Sequence, residues 1–370
     1  MSIVLCRALL LLATSATAEA TTAIPIVHDA ASLFVARHDV PQLAAPTWQV
    51  HPLRPRDSIA RVAARYGVSA TALRRWNRLD AGEEPASHRR TLAVLSDRTP
   101  PPPRRIAYVV QAGEDWDDVA AKLRLSARAL RASAPRRTTL AAGSHVLAWI
   151  DPLEGPSFEP DAPDIDAAMD IAAGGRSVGL PQRGRLEQGV RLPDSPLWTQ
   201  MHPTRAFGSS HTIETVRRAF AILRNDIGYR GGVTIGALSR PHGGRFPPHR
   251  SHQSGRDIDV RLPLRPGLED VRHPRADDID WYAAWAIIDA FLRTGEVEAI
   301  FLELGRHEKL YTAARALGVE RERLHGLLRW GNWNGDVVVR HSDGHDTHVH
   351  IRIRCGADEP RCRSQGRDGA

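Results

Sequence analysis

The chain is poor in lysine. Of 50 basic residues among 370, only Lys122 and Lys309 are lysines, and arginine supplies the rest. Neither lysine follows a serine by three positions, so the Ser-x-x-Lys arrangement of serine acyl enzymes is excluded. Cysteine is scarce as well, at three residues. Cys6 falls in an apolar leader. Cys355 and Cys362 remain, an even pair that can close one disulfide in an oxidising compartment. Beyond the leader no apolar run approaches the length of a transmembrane helix, so no transmembrane segment is expected. The string "HEKLY" at 307–311 lacks the second histidine of a zincin helix.

What is present is ordinary in bulk and unusual in detail. A hydrophobic fraction of 42% and a charged fraction of 25% describe globular protein, long enough for two or three domains. The formal charge of +7 favours polyanionic partners, and composition does not choose among nucleic acid, anionic lipid and an acidic wall polymer. Residues 1–20, "MSIVLCRALLLLATSATAEA", join Arg7 to a short apolar run and small residues at 16, 18 and 20. That is the pattern of a secretory signal, and it predicts export to the periplasm or cell wall.

An internal repeat follows. "VAARYGVSATALRR" (62–75) aligns with "VAAKLRLSARALRA" (119–132) at an offset of 57. Val62, Ala63, Ala64, Ser69, Ala72, Leu73 and Arg74 all recur in the second copy. Each copy reads as strand, helix, helix, strand, over 46–97 and 106–152. "RTPPPPRR" (98–105) is a stiff spacer between them. An acidic linker spans 153–175, a third unit 176–362 and a tail 363–370. In the third unit helices are predicted over 212–228 and 280–295 and strands over 233–239 and 297–304, with a further helix to about Gly318.

Two short windows carry five histidines, "HRSHQSGRDIDV" (249–260) and "GHDTHVHIRIRC" (344–355). Both read as strands. Ile258, Val260 and Leu262 point one way, and Asp257 and Asp259 the other. Val349, Ile351 and Ile353 likewise oppose His348 and His350. If the strands neighbour one another in an antiparallel sheet, two aspartates and two histidines share one face. His252, on the preceding turn, can add a ligand. Such N and O donors suit a borderline divalent metal. The bland alternative is a polar sheet face with solvated histidines.

Residues 57–79, "DSIARVAARYGVSATALRRWNRL", resemble the LysM module, Asn77 included. The second copy departs from that pattern at "GEDW" (113–116) and at Ala134, where Asn77 would stand. A LysM module implies binding to N-acetylglucosamine-containing glycan. Residues 239–260, "SRPHGGRFPPHRSHQSGRDIDV", and 345–362, "HDTHVHIRIRCGADEPRC", resemble the two signature blocks of the penicillin-insensitive murein endopeptidases. The likeness extends over about 176–362.

That resemblance implies an α+β metallopeptidase domain on a small antiparallel sheet, and the repeat places two βααβ modules before it. It implies His252, Asp259 and His350 as ligands of one Zn2+ per chain, His348 as the catalytic imidazole and His345 as a supporting site residue. A second metal position is implied at His249, Asp270 and His273. The implied reaction is hydrolysis of D-alanyl–meso-diaminopimelyl cross-links, with peptidoglycan and not nucleic acid as the partner. Two other readings fit the residues: a non-catalytic peptidoglycan-binding protein, and an exported metal-dependent nuclease.

Overall fold

The computed structural model describes residues 24–35, 40–54, 57–86, 88–132, 134, 138–153, 158, 169–265, 268, 271–328, 330 and 336–364. The predicted signal at 1–20 and Asp270 lie outside the described residues. The chain is mixed α+β.

Strand β1 (Ile26–Val27) precedes the first copy, which runs β2 (Gln42–Pro52), α1 (Ile59–Tyr66), α2 (Ala70–Trp76), β3 (Thr91–Arg98). Strands β2 and β3 pair antiparallel, and Ile59, Val62, Ala63, Tyr66 and Leu73 fill the space beneath them. The local signals are direct. The Ser58 hydroxyl accepts the Arg61 amide at the start of α1, and Gly67 ends that helix at φ 68°. The Asn77 side chain donates to the carbonyls of Leu73 and Ala93 and accepts the Ala93 amide, tying α2 to β3.

The second copy repeats this as β4 (Arg104–Val109), α3 (Trp116–Lys122), α4 (Ala127–Ala132), β5 (His145–Ile150). Strand β1 adds to it in parallel beside β4, a pairing with no signal in the repeat. The proline spacer is gripped by the first copy: Arg54 donates to the Pro103 carbonyl and Arg65 to that of Pro101.

The third unit opens with a hairpin, β6 (Arg176–Leu180) and β7 (Arg183–Glu187), and the short strands β8 (Val190–Arg191), β9 (Thr199–Gln200) and β10 (Phe207–Gly208). Then come α5 (Ser210–Ala221), β11 (Thr234–Ile235), β12 (Asp257–Arg261), α6 (Trp281–Arg293), β13 (Val297–Leu302), α7 (Leu304–Ala316), α8 (Arg321–Leu327), β14 (Val339–His341) and β15 (His348–Ile353). Helix α5 passes into a π-helical turn over Ile222–Asp226, and the 233–239 strand shortens to two residues.

Six strands form the main sheet in the order β14-β13-β15-β12-β11-β9. The four central strands are antiparallel, but β14 pairs parallel with β13, and β9 parallel with β11. The expectation of an antiparallel sheet therefore holds only for the centre. Each edge strand is joined to its neighbour through helices, α5 on one side and α7–α8 on the other, and such crossovers bring strands back parallel. One apolar core unites the sheet with α5, α6 and α7, and Trp281 and Trp285 are part of it. Phe158, Met169 and Ile171, within the acidic linker, also pack against this core, so those residues are docked.

Candidate metal centre

Strands β12 and β15 lie side by side with Asp259 opposite His350 and Asp257 opposite Arg352. Their apolar residues face the core, which turns the carboxylates and imidazoles onto the other face. His252 enters from the preceding turn at φ 66°, a left-handed conformation uncommon for residues other than glycine. Three bonds hold it there. Its amide donates to Asp257 Oδ2 at 2.8 Å, its carbonyl accepts the Ser239 hydroxyl at 2.6 Å, and its Nδ1 donates to the Leu238 carbonyl at 2.6 Å.

These bonds decide where the ring lone pairs point. A carbonyl can only accept, so Nδ1 of His252 carries hydrogen and the Nε2 of the neutral ring carries a lone pair. That Nε2 lies 3.2 Å from Asp259 Oδ1. Both atoms are buried, and neither forms a hydrogen bond. His350 repeats the arrangement. Its Nε2 meets Asp257 Oδ1 at 3.0 Å, and its Nδ1 faces Asp259 Oδ1 at 3.3 Å. Buried acceptors that converge without a donor are costly unless a cation or proton lies among them. The donor set of two imidazole nitrogens and a carboxylate fits zinc.

Asp257 is completely buried and serves the others. Its Oδ1 also accepts Arg352 Nε at 2.8 Å. Burial pushes both carboxyls up. Arg352 and His350 around Asp257, and His252 and His350 around Asp259, outweigh it and hold both well below the usual carboxylate range. Burial likewise pushes His350 down, but the Asp257 carboxylate overcomes this and raises the imidazole to about 9.

Three more histidines ring the centre. His348 Nε2 stands 3.8 Å from Asp259 Oδ1, with about a quarter of its side chain exposed. The ring of His345 is 4.9 Å from that of His348, and its Nδ1 donates to the Asp343 carbonyl at 3.0 Å. Burial is the first cause lowering both imidazoles. His249 Nδ1 lies 3.6 Å from Asp259 Oδ2, and its ring stacks on Phe246. Burial and then His252 depress its imidazole to about 4.

The structure thus gathers His249, His252, Asp259, His345, His348 and His350. Potential ligand atoms of His249, His252 and Asp259 all lie within 4.8 Å of one another. Of the second-metal residues, His249 lies at the centre and His273 is exposed, while Asp270 lies outside the described residues. Cys355 and Cys362 are joined by a disulfide directly after β15. Sequence does not single out Asp257, Arg352 or Phe246 as site residues. Alternation puts Asp257 on the right face, but its partners are legible only in three dimensions.

Two look-alikes do not qualify. Glu303, His341 and Asp343 also bring ligand atoms within 4.8 Å. There His341 Nδ1 accepts the Leu304 amide, so Nε2 carries its hydrogen toward Asp343, as in a surface hydrogen bond. Gly175-Arg176-Ser177-Val178-Gly179 has the spacing of a nucleophile elbow. Ser177 lies inside β6 with its side chain buried, not on a strand-to-helix turn.

The family profile described as penicillin-insensitive murein endopeptidase matches residues 177–326, and that of the LysM domain matches 53–83. A penicillin-insensitive murein endopeptidase of Yersinia enterocolitica is 32% identical over 217 residues, 53% of this chain and 72% of the relative. The chain belongs to the penicillin-insensitive murein endopeptidase family. It is a peptidase by that membership. A Klebsiella pneumoniae protein of the same description is 27% identical over 216 residues, with 53% and 72% of the two chains covered. Relatives from Yersinia pestis match at 29% over 177 residues, 44% of this chain and 58% of theirs. The family match ends before β15, so His345, His348 and His350 stand outside it. Among solved structures, the Bacillus cereus spore cortex-lytic enzyme SleL matches 36% of this chain and 25% of its own, at 16% identity. The TM-score of 0.13 is too low to support an argument. Among the described residues no helix is long and apolar enough to cross a membrane.

Proposed function

We propose that the protein is an exported, zinc-dependent endopeptidase that hydrolyses D-alanyl–meso-diaminopimelyl cross-links of peptidoglycan. The observation that carries this reading is the convergence of His252 Nε2 and His350 Nδ1 on Asp259 Oδ1, with His252 Nε2 and Asp259 Oδ1 buried and without a hydrogen-bond partner. These three would hold Zn2+, which supplies Lewis acidity at the scissile carbonyl and acidifies a water.

The chain's own residues do the rest. Asp257 fixes the His350 tautomer and, through the His252 amide, the loop that carries the other imidazole. His348 is partly exposed beside Asp259, and burial keeps it neutral near pH 7. It is the group placed to take a proton at Nε2 or to hydrogen-bond the developing oxyanion. His345 supports it from the outer side.

The division of labour is part of the same proposal. Residues 1–20 direct export, 46–97 bind glycan as a LysM module, and 106–152 form a degenerate second copy. The segment 153–175 connects them to the catalytic unit at 176–362, and 363–370 is a tail. Binding to an insoluble polymer raises the local concentration of cross-links at the site. The test is turnover of soluble cross-linked muropeptides after chelation and after zinc is restored. Loss and recovery in step with one bound zinc per chain is the expected result. Full turnover in protein shown to be metal-free would end the zinc assignment. Metal bound above one per chain would indicate a further site at His249, Asp270 and His273.

A further inference from the structure

The two copies of the repeat differ in charge where the second meets the catalytic unit. At the offset of 57, Ser58 corresponds to Asp115 and Arg61 to Asp118. Asp115 caps α3, and its other carboxylate oxygen accepts Arg321 Nη1 at 2.5 Å. Asp118 Oδ1 accepts Arg315 Nη2 at 2.9 Å. Glu308 Oε1 accepts the Ser126 hydroxyl at 3.2 Å and the Arg128 amide at 3.4 Å. Glu308, Tyr311 and Arg315 share one face of α7 by helical spacing, and Tyr311 is buried. The first copy could not take this seat, because Arg61 would meet Arg315 with like charge.

The first copy is fastened in turn to the second. The Arg54 guanidinium lies 4.8 Å from the centre of the Trp149 ring, while Arg65 pairs with Asp151 just after β5. At the far end, α7 starts beside the active centre, where the Glu303 amide donates to the His345 carbonyl at 3.0 Å. The contacts therefore run without a break from the first module to the rim of the metal centre.

We infer that the second copy is a fixed mount, whose acidic helix α3 docks on α7 and α8 of the catalytic unit and sets a constant reach between the glycan-binding first module and the metal centre. Asp115 and Asp118, where it differs from the first copy, are residues that dock. A constant reach restricts cutting to cross-links at one distance and direction from the bound glycan. The consequence for cutting rests on the function proposed above; the docking itself does not.

The test uses the mature full-length chain with nitroxides at Ala142→Cys and Met201→Cys, positions exposed on the mount and on the catalytic unit. Electron–electron distance measurement should give one narrow distribution. Asp115→Ser/Asp118→Arg places the first copy's own residues in α3, a substitution that the equivalent helix α1 already tolerates. It should broaden the distribution, and adding Arg315→Asp should narrow it again. Digestion of sacculi should fall about tenfold in the undocked variant, the scale of lost effective concentration, and recover in the triple variant. Turnover of a soluble muropeptide should not move. A broad distribution in the parent, a narrow one in the undocked variant, or unchanged sacculus digestion on undocking would overturn the inference. If the parent fails to cut soluble muropeptide at all, the proposed function fails while the distance result still judges the docking.

Discussion

The metal centre and the mount interface are built from the same chemistry, carboxylates set against cationic or imidazole groups, and they differ in burial. Asp257 and His252 are wholly removed from solvent, and Asp259, His350 and Arg352 nearly so. At the interface Arg321 and Asp115 keep more than a third of their side chains exposed, and Arg315 and Asp118 nearly a fifth. Water screens the second set and not the first. The buried centre is therefore over-determined, with each group held by two or three others. The interface is tuned by sign and is easily reversed. Function at the first depends on each atom, and at the second on the sum of weak contacts.

That contrast can be broken first at its strongest point. His350→Ala removes one of the converging acceptors and leaves Asp257 short of a partner. Metal retention and turnover should both vanish, measured by metal analysis after gel filtration and by muropeptide release. His348→Ala comes next. The metal should stay, while turnover falls about 10²–10⁴-fold, the usual contribution of a general acid–base group. Equal metal loss in the two variants would remove the distinction between them.

Asp257→Asn asks whether the support of the centre matters as much as its ligands. The amide oxygen can still accept from Arg352 and His350, but the charge that raises His350 is gone, and the amide nitrogen faces the His252 N–H in place of an acceptor. Zinc affinity should drop about 10–100-fold in a competition assay. The pH dependence sharpens this. His350 is raised to about 9 in the metal-free site, so metal entry displaces a proton and affinity should fall about tenfold per pH unit below that value. The sign for stability is opposite. The raised imidazole stabilises the metal-free fold fully below about 6.5, and that contribution disappears as pH rises through about 9. The depressed carboxyls of Asp257 and Asp259 stabilise it above about 4 and cease to do so as pH falls further. In Asp257→Asn the affinity slope should flatten between pH 7 and 9. A slope unchanged from the parent would mean that Asp257 does not hold the proton.

The smallest effect belongs to the interface. Arg321→Ala removes a half-exposed ion pair and should cost no more than about 1 kcal/mol in chemical denaturation. Breaking the buried set by Asp257→Ala should cost about 3–5 kcal/mol, because Arg352 and His350 both lose their buried carboxylate. A reversal of that order would contradict the comparison.

Much of the centre is legible one strand at a time. The two-residue period in β12 and β15 is enough by itself to put Asp257, Asp259, His348 and His350 opposite their apolar neighbours. The register that sets Asp259 against His350 is not legible, because about ninety residues separate the strands and nothing local encodes their pairing. Asp257 and Asp259 share a face, so periodicity cannot separate them; the Arg352 guanidinium beside one and the converging imidazoles beside the other do. Edge strands β9 and β14, of two and three residues, are too short to show a period. The mount is hidden for a related reason. Asp118 finds Arg315 across 197 positions, and from the repeat alone "GEDW" reads only as a departure from the LysM pattern.

The most direct test of the account is mass spectrometry of the muropeptides left after purified sacculi are digested with zinc-loaded protein. Cross-linked dimers should disappear in favour of monomers, with a free amino group appearing on meso-diaminopimelate and the glycan strands uncut, and His252→Ala should leave the dimers in place. Dimers that persist with zinc-loaded protein, or cleavage at any other bond, would contradict it.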